Sequence, residues 1–185
     1  MKKNTELLKL MSEYSLFMSS TKQLNMPFVV THEKPNHKTS LYKEQSLITT
    51  GILGNITIDC EIRNKDLHNY SFQILSDKIA SKILARFDEG NGTHRNNLPN
   101  IPLSDQQVTT PHFHKYDEMG HFVAYKTQSI GIDAEKKLSI DKGFCLFCNE
   151  ESILSSNNEQ IHISVQEAGT IPFDLNEDPL SGINF

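Results

Sequence analysis

The sequence predicts an α+β fold: an antiparallel meander sheet of about five to seven strands, an N-terminal helix, and a second helix near residues 134–148. Three observations carry this. Ile56, Ile58, Cys60 and Ile62 alternate with Thr57, Asp59, Glu61 and Arg63, the period of two of a half-buried strand. Tyr70, Phe72 and Ile74 repeat that alternation after the polar turn Asn64–Asn69. Leu7, Leu8, Leu10, Met11, Tyr14, Phe17 and Met18 instead recur every three to four residues, with Glu6, Lys9, Ser12 and Glu13 between them, as on one face of a helix.

Taken in order, residues 4–20 form the first helix, with Asn4 or Thr5 as its cap. Residues 21–45 are mixed, and only Phe28-Val29-Val30 reads as a strand. Ser46–Leu53 is the strand before the Gly54-Asn55 turn. Residues 79–88 fit either element, and the alternation of Ile83, Ala85 and Phe87 favours a strand. Residues 89–111, with Gly90, Gly92, Pro99, Pro102 and Pro111, read as a long functional or mobile loop. Residues 112–116 and 121–126 are two short strands around Met119-Gly120. Asp133, with Ile132 as a hydrophobic staple, caps the helix 134–148, whose Gly143 costs roughly 1 kcal/mol relative to Ala. Ile161, Ile163 and Val165 suggest a last strand. One domain is expected over 1–166, with an acidic tail over 167–185.

Composition excludes several classes. No apolar run is long enough to span a membrane, and Glu6 and Lys9 interrupt any signal-peptide core. Three cysteines make no disulfide framework, so a reducing cytoplasm is expected. With 18 Lys+Arg against 23 Asp+Glu and no basic block, nucleic acid would be met only through a local site. A protein partner or a homo-oligomer stays open.

Eight histidines stand out. If Phe87 and Phe113 face the core of paired strands, then Arg86, Asp88, His112 and His114 share the opposite face, because residues two apart lie on one side of a sheet. The loop carrying His94 and Asn96 would fold over them. Two chemistries fit. His94, His112, His114 and Asp88 make a workable shell for a divalent transition metal that activates water. Alternatively the histidines act as general acid and base, with Arg86 or Arg95 stabilising an oxyanion. His121 and His162 have no assigned place, while His32, His37 and His68 read as solvated. Cys60, Cys145 and Cys148 read as small core residues, since the pair Cys145/Cys148 lacks the second pair a zinc site needs.

Leu84-Ala85-Arg86-Phe87-Asp88, Gly90/Gly92, His94-x-Asn96, Pro111-His112-Phe113-His114-x-Tyr116, Gly120, Ala124-Tyr125 and the Phe144–Asn149 segment resemble an uncharacterised bacterial domain family associated with mobile elements. The likeness covers roughly residues 46–150. Asn97 stands where that family has Pro, and the stretch from His94 to Pro111 is longer. The resemblance implies that Arg86, Asp88, His94, Asn96, His112 and His114 form one site, and carries no activity with it. The sequence leaves two functions open: a small hydrolase- or nuclease-like protein, or a non-enzymatic interaction protein (or toxin–antitoxin component) in which the same residues are a structural polar network.

Overall fold

The computed structural model describes residues 3–90, 92–99, 101–130, 137–157 and 159–166. Its elements are α1 (Thr5–Leu8), α2 (Met11–Ser19), β1 (Lys22–Leu24), β2 (Phe28–Val30), β3 (His32–Lys34), β4 (His37–Ile48), β5 (Ile56–Ile62), β6 (Tyr70–Ser76), β7 (Ile83–Glu89), β8 (Thr93–Arg95), β9 (Gln107–Thr109), β10 (His112–Tyr116), β11 (Phe122–Tyr125), α3 (Ile140–Glu150), β12 (Ile153–Ser155) and β13 (Ile163–Val165). Short 3-10 turns lie at Arg63–Lys65, Leu103–Gln106 and Gln128–Ile130.

The main sheet runs β11-β10-β7-β6-β5-β4-β1-β12, with β3 also on β4. Every pairing in it is antiparallel except β1 with β12. Two small pairs, β13-β2 and β8-β9, stand beside it. Strands take 41% and helices 22% of the described residues. The expected α+β class is therefore corrected: the fold is mostly β, a large curled mixed sheet of nine strands with three short helices, not a five-to-seven-stranded antiparallel meander.

The added strands explain the correction. β1, β3 and β12 have three residues each and leave no periodicity to read. β4 is a twelve-residue strand that starts nine residues before the expected Ser46, and among its apolar residues only Leu41 and Leu47 are buried. Its extended backbone is held by β5 on one edge and by β3 and β1 on the other. The expected strand end at Leu53 gives way to turns with Gly51 and Gly54 at positive φ, a conformation glycine adopts without strain.

The expected helix 4–20 is two. Asn4 caps α1, its side chain accepting from the Leu7 amide at 3.0 Å while its own amide donates to Gly120 O at 2.9 Å. Leu10 leaves helical geometry between them. Docking decides this break: Leu7 and Phe17 are fully buried, and the Tyr14 hydroxyl donates to Leu84 O at 3.1 Å. α3 starts at Ile140 under a Ser139 cap, later than the expected 134. Asp133, Ile132 and the tail 167–185 lie outside the described residues.

One register builds both faces of the sheet. Cys60, Phe72, Phe87, Phe113 and Tyr125 are successive partners across β5-β6-β7-β10-β11. Phe87 meets Phe113 at 5.0 Å between ring centroids, and Phe113 meets Tyr125 at 5.7 Å. α3 lays Phe144 and Phe147 over Phe72 at 5.2 and 5.7 Å. Each buried ring contributes about 1.5–3 kcal/mol. On the other face the same register aligns Glu61, Ser71, Asp88 and His112 in one row, and Asp59, Gln73, Arg86 and His114 in the next.

Gly143 has a packing reason. A Cβ there would run into the Tyr70 hydroxyl and lie 2.9 Å from two Tyr70 ring carbons. Gly143→Ala is therefore expected to destabilise by about 1–3 kcal/mol, although propensity alone would favour Ala by about 1 kcal/mol. Urea unfolding checks the sign, and a stabilised variant would refute the contact. Among the described residues no helix is long and apolar enough to cross a membrane.

Candidate metal centre

Cross-strand pairing assembles the site. His112 pairs with Asp88 and His114 with Arg86 across β10 and β7, so all four side chains leave the same face. Asp88, His112 and His114 are 8%, 4% and 5% exposed. The two oxygens of Asp88 divide their partners. Oδ2 faces the imidazoles, 3.3 Å from His114 Nε2 and 3.9 Å from His112 Nε2. Oδ1 takes the Arg86 guanidinium at 2.6 Å and that of Arg63 at 3.4 Å.

One donor atom from each of Asp88, His112 and His114 lies within 4.8 Å of the others. Bonds of ~2.0–2.1 Å in a tetrahedron put ligand atoms about 3.3 Å apart. The separations of 3.3 and 3.9 Å suit that shell. The ionisation states suit it as well. Burial pushes the Asp88 carboxyl up, but the His114 contact and the Arg86 guanidinium together outweigh it, and the group stays below the usual carboxylate range. Burial and the neighbouring His114 push His112 down to about 4 against the attraction of Asp88. A neutral imidazole beside a carboxylate is the form that binds a metal.

His94 comes from β8, outside the main sheet. Its ring lies 4.7 Å from that of His114 and 6.2 Å from that of His112, against the converging trio rather than within it. Its Nε2 is buried and meets no hydrogen-bond partner among the described residues, and burial followed by His114 lowers its pKa. The expected loop 89–111 is largely ordered: the β8-β9 hairpin and the Leu103–Gln106 turn occupy it. Gln106 is buried and donates through its side chain to Leu98 O and Ile101 O, satisfying carbonyls that a structureless loop would strand.

Asn96 serves this hairpin. Its amide donates to Ala124 O at 2.9 Å and accepts from Ala124 N at 2.7 Å, pairing with the edge of β11 as one residue of strand would. Asn96 thus holds β8, and with it His94, over the site. Phe122 stacks on His114 at 5.1 Å with planes 14° apart and fixes that imidazole.

Asp88, His112, His114, His94, Arg86 and Phe122 line an open cavity of about 510 Å3 that also includes Arg63, Thr93 and Thr110. Arg63 and Phe122 are the residues that sequence reasoning missed. Arg63 shares the parity of Asp59 and Glu61, so strand alternation carried to its end points to it. Phe122 offered no local signal.

The other histidines have separate partners. His121 Nδ1 lies 3.1 Å from Asp117 Oδ2. His162 meets Gln160 O, His32 meets Thr31, and His68 faces Leu138 O at 3.4 Å. His37 is exposed. Cys60 and Cys148 are buried free thiols whose pKa burial raises, the opposite of a reactive thiolate.

No family model, no curated protein and no solved structure matches this chain.

Proposed function

We propose that Asp88, His112 and His114 hold one divalent transition metal, and that the centre is hydrolytic, of the hydrolase or nuclease class. The observation that carries this reading is the convergence of one carboxylate oxygen and two imidazole nitrogens, nearly buried, at the wall of an open cavity. Two histidines and a carboxylate with a free position are one of the ligand sets of catalytic zinc centres. A metal held there supplies Lewis acidity and lowers the pKa of water. The chain's own residues do the rest. His94, its nitrogen buried and its neutral form favoured, takes or gives the proton of the reacting groups. Arg86 orients Asp88 so that Oδ2 faces the metal position.

One observation favours a second reading. Asp88 already has two guanidinium partners, so a structural network that fixes β7, β10 and the hairpin needs no metal. Metal analysis separates the two. Untagged protein purified without chelator should carry about one equivalent of metal, and the His112→Ala/His114→Ala variant about a tenth of that or less. Wild-type protein that holds no metal, even after incubation with zinc, manganese or cobalt, removes the first reading and leaves the second.

A further inference from the structure

The geometry points to a phosphate-type oxyanion, the head of a phosphate ester, as the group this cavity receives, seated against the Arg63 and Arg86 guanidiniums. The inference deepens the hydrolytic reading by naming its substrate class, and rests on that reading only for what lies on the oxyanion's far side.

Charge is the first argument. Arg63 and Arg86 bring two fixed positive charges to a wall on which Asp88 brings one negative. Glu89 borders the cavity, but as the neighbour of Asp88 along β7 its side chain leaves on the opposite face, that of its partner Tyr70. The wall therefore has a surplus of one positive charge without a metal and more with one, in a partly desolvated recess where such a surplus favours an anion.

Unused donors are the second argument. Arg86 is committed to Asp88 through one nitrogen, and its Nε is buried without a hydrogen-bond partner among the described residues. Arg63 makes three contacts, all long: 3.4 Å to Asp88 Oδ1, 3.3 Å to Ser71 Oγ and 3.4 Å to Asn69 Oδ1. Nη2 carries two of these contacts and Nη1 one, none uses Nε, and contacts this long give way readily to the shorter, charge-assisted bonds of a phosphate oxygen. The His94 Nε2 is a further unpartnered buried nitrogen on the same cavity. The volume of about 510 Å3 admits a phosphate group together with a ring-sized substituent.

The test titrates the full chain with inorganic phosphate by calorimetry, both chelator-treated and after addition of one equivalent of zinc, with metal content read on the same samples. Saturable binding is expected, weakened by about tenfold or more in Arg63→Gln and less in Arg63→Lys, with acetate at least about tenfold weaker than phosphate. Arg63→Lys carries the comparison if Arg63→Gln fails to fold. A chain that takes up no zinc yet binds phosphate with this Arg63 dependence keeps the oxyanion site and loses the metal. A chain that takes up zinc but binds phosphate equally well with and without Arg63, or binds none in either form, overturns the oxyanion site and leaves the metal standing.

Discussion

Asp88→Asn is expected to strip the site of metal and to destabilise the fold by about 3 kcal/mol. The substitution barely changes shape, so the effect is electrostatic. Asp88 is the only carboxylate in the converging trio, and its Oδ1 neutralises Arg86 at 2.6 Å. An amide leaves that guanidinium facing an uncharged partner in a half-buried place, and a buried pair broken from one side typically costs 3–5 kcal/mol. The lower end applies because the Arg86 side chain keeps 27% of its exposure to water. Urea unfolding in the presence of chelator measures the stability term free of metal, and metal analysis measures the other. A variant as stable as wild type would show that the Arg86 contact contributes nothing. A variant that still binds one equivalent of metal would remove Asp88 from the ligand set.

Glu151→Gln is expected to stabilise the protein by about 3 kcal/mol at pH 8 and to leave it unchanged near pH 4. Glu151 is the C-cap of α3, is 1% exposed, and neither carboxyl oxygen has a hydrogen-bond partner among the described residues. Lys22, the cation whose charge acts most strongly on it, spends its ammonium on carbonyls: Glu151 O at 2.7 Å, Ser20 O at 3.0 Å and Met18 O at 3.4 Å. Burial therefore pushes the Glu151 carboxyl up to about 7, with Lys22 offsetting only part of it. A carboxyl raised in the folded state holds a proton that the unfolded chain releases near 4.5. Its contribution to stability is full below that value and is lost as pH rises through about 7. The amide imitates the protonated acid at every pH, so the variant keeps what wild type loses. Asp59, raised to about 7 by burial, adds a second loss of the same sign. Unfolding free energies of both proteins at pH 4 and pH 8 check this, and an equal difference at the two pH values would sink it.

Much of the sheet was legible in the sequence for a physical reason. β5 and β6 carry apolar side chains on their core face and polar ones on the other, and that division writes a period of two into the chain. The same alternation placed Arg86 and Asp88 on one strand face and His112 and His114 on another. The helices were harder. Continuous apolar spacing over 4–20 concealed the break at Leu10, which follows from burying Leu7 and Phe17 at separate places. The hairpin over 92–110 was illegible because its order comes from Gln106 bonding to loop carbonyls and Asn96 bonding to a strand 28 residues away.

The sequence by itself determined which residues face the core and which face away along β5, β6 and β7, because that follows from chemistry within a few neighbours. It could not determine class. Three-residue strands such as β1, β3 and β12 carry no period, and the parallel pairing that makes the sheet mixed joins Lys22 to Ile153 across most of the chain. Tertiary structure alone decided that β10 lies on β7 with His112 opposite Asp88. It also decided that Arg63 reaches the carboxylate from a turn and that His94 rests on the trio without belonging to it. Register and long-range contact set those distances, and a difference of one residue in register would have turned the histidines to the other face.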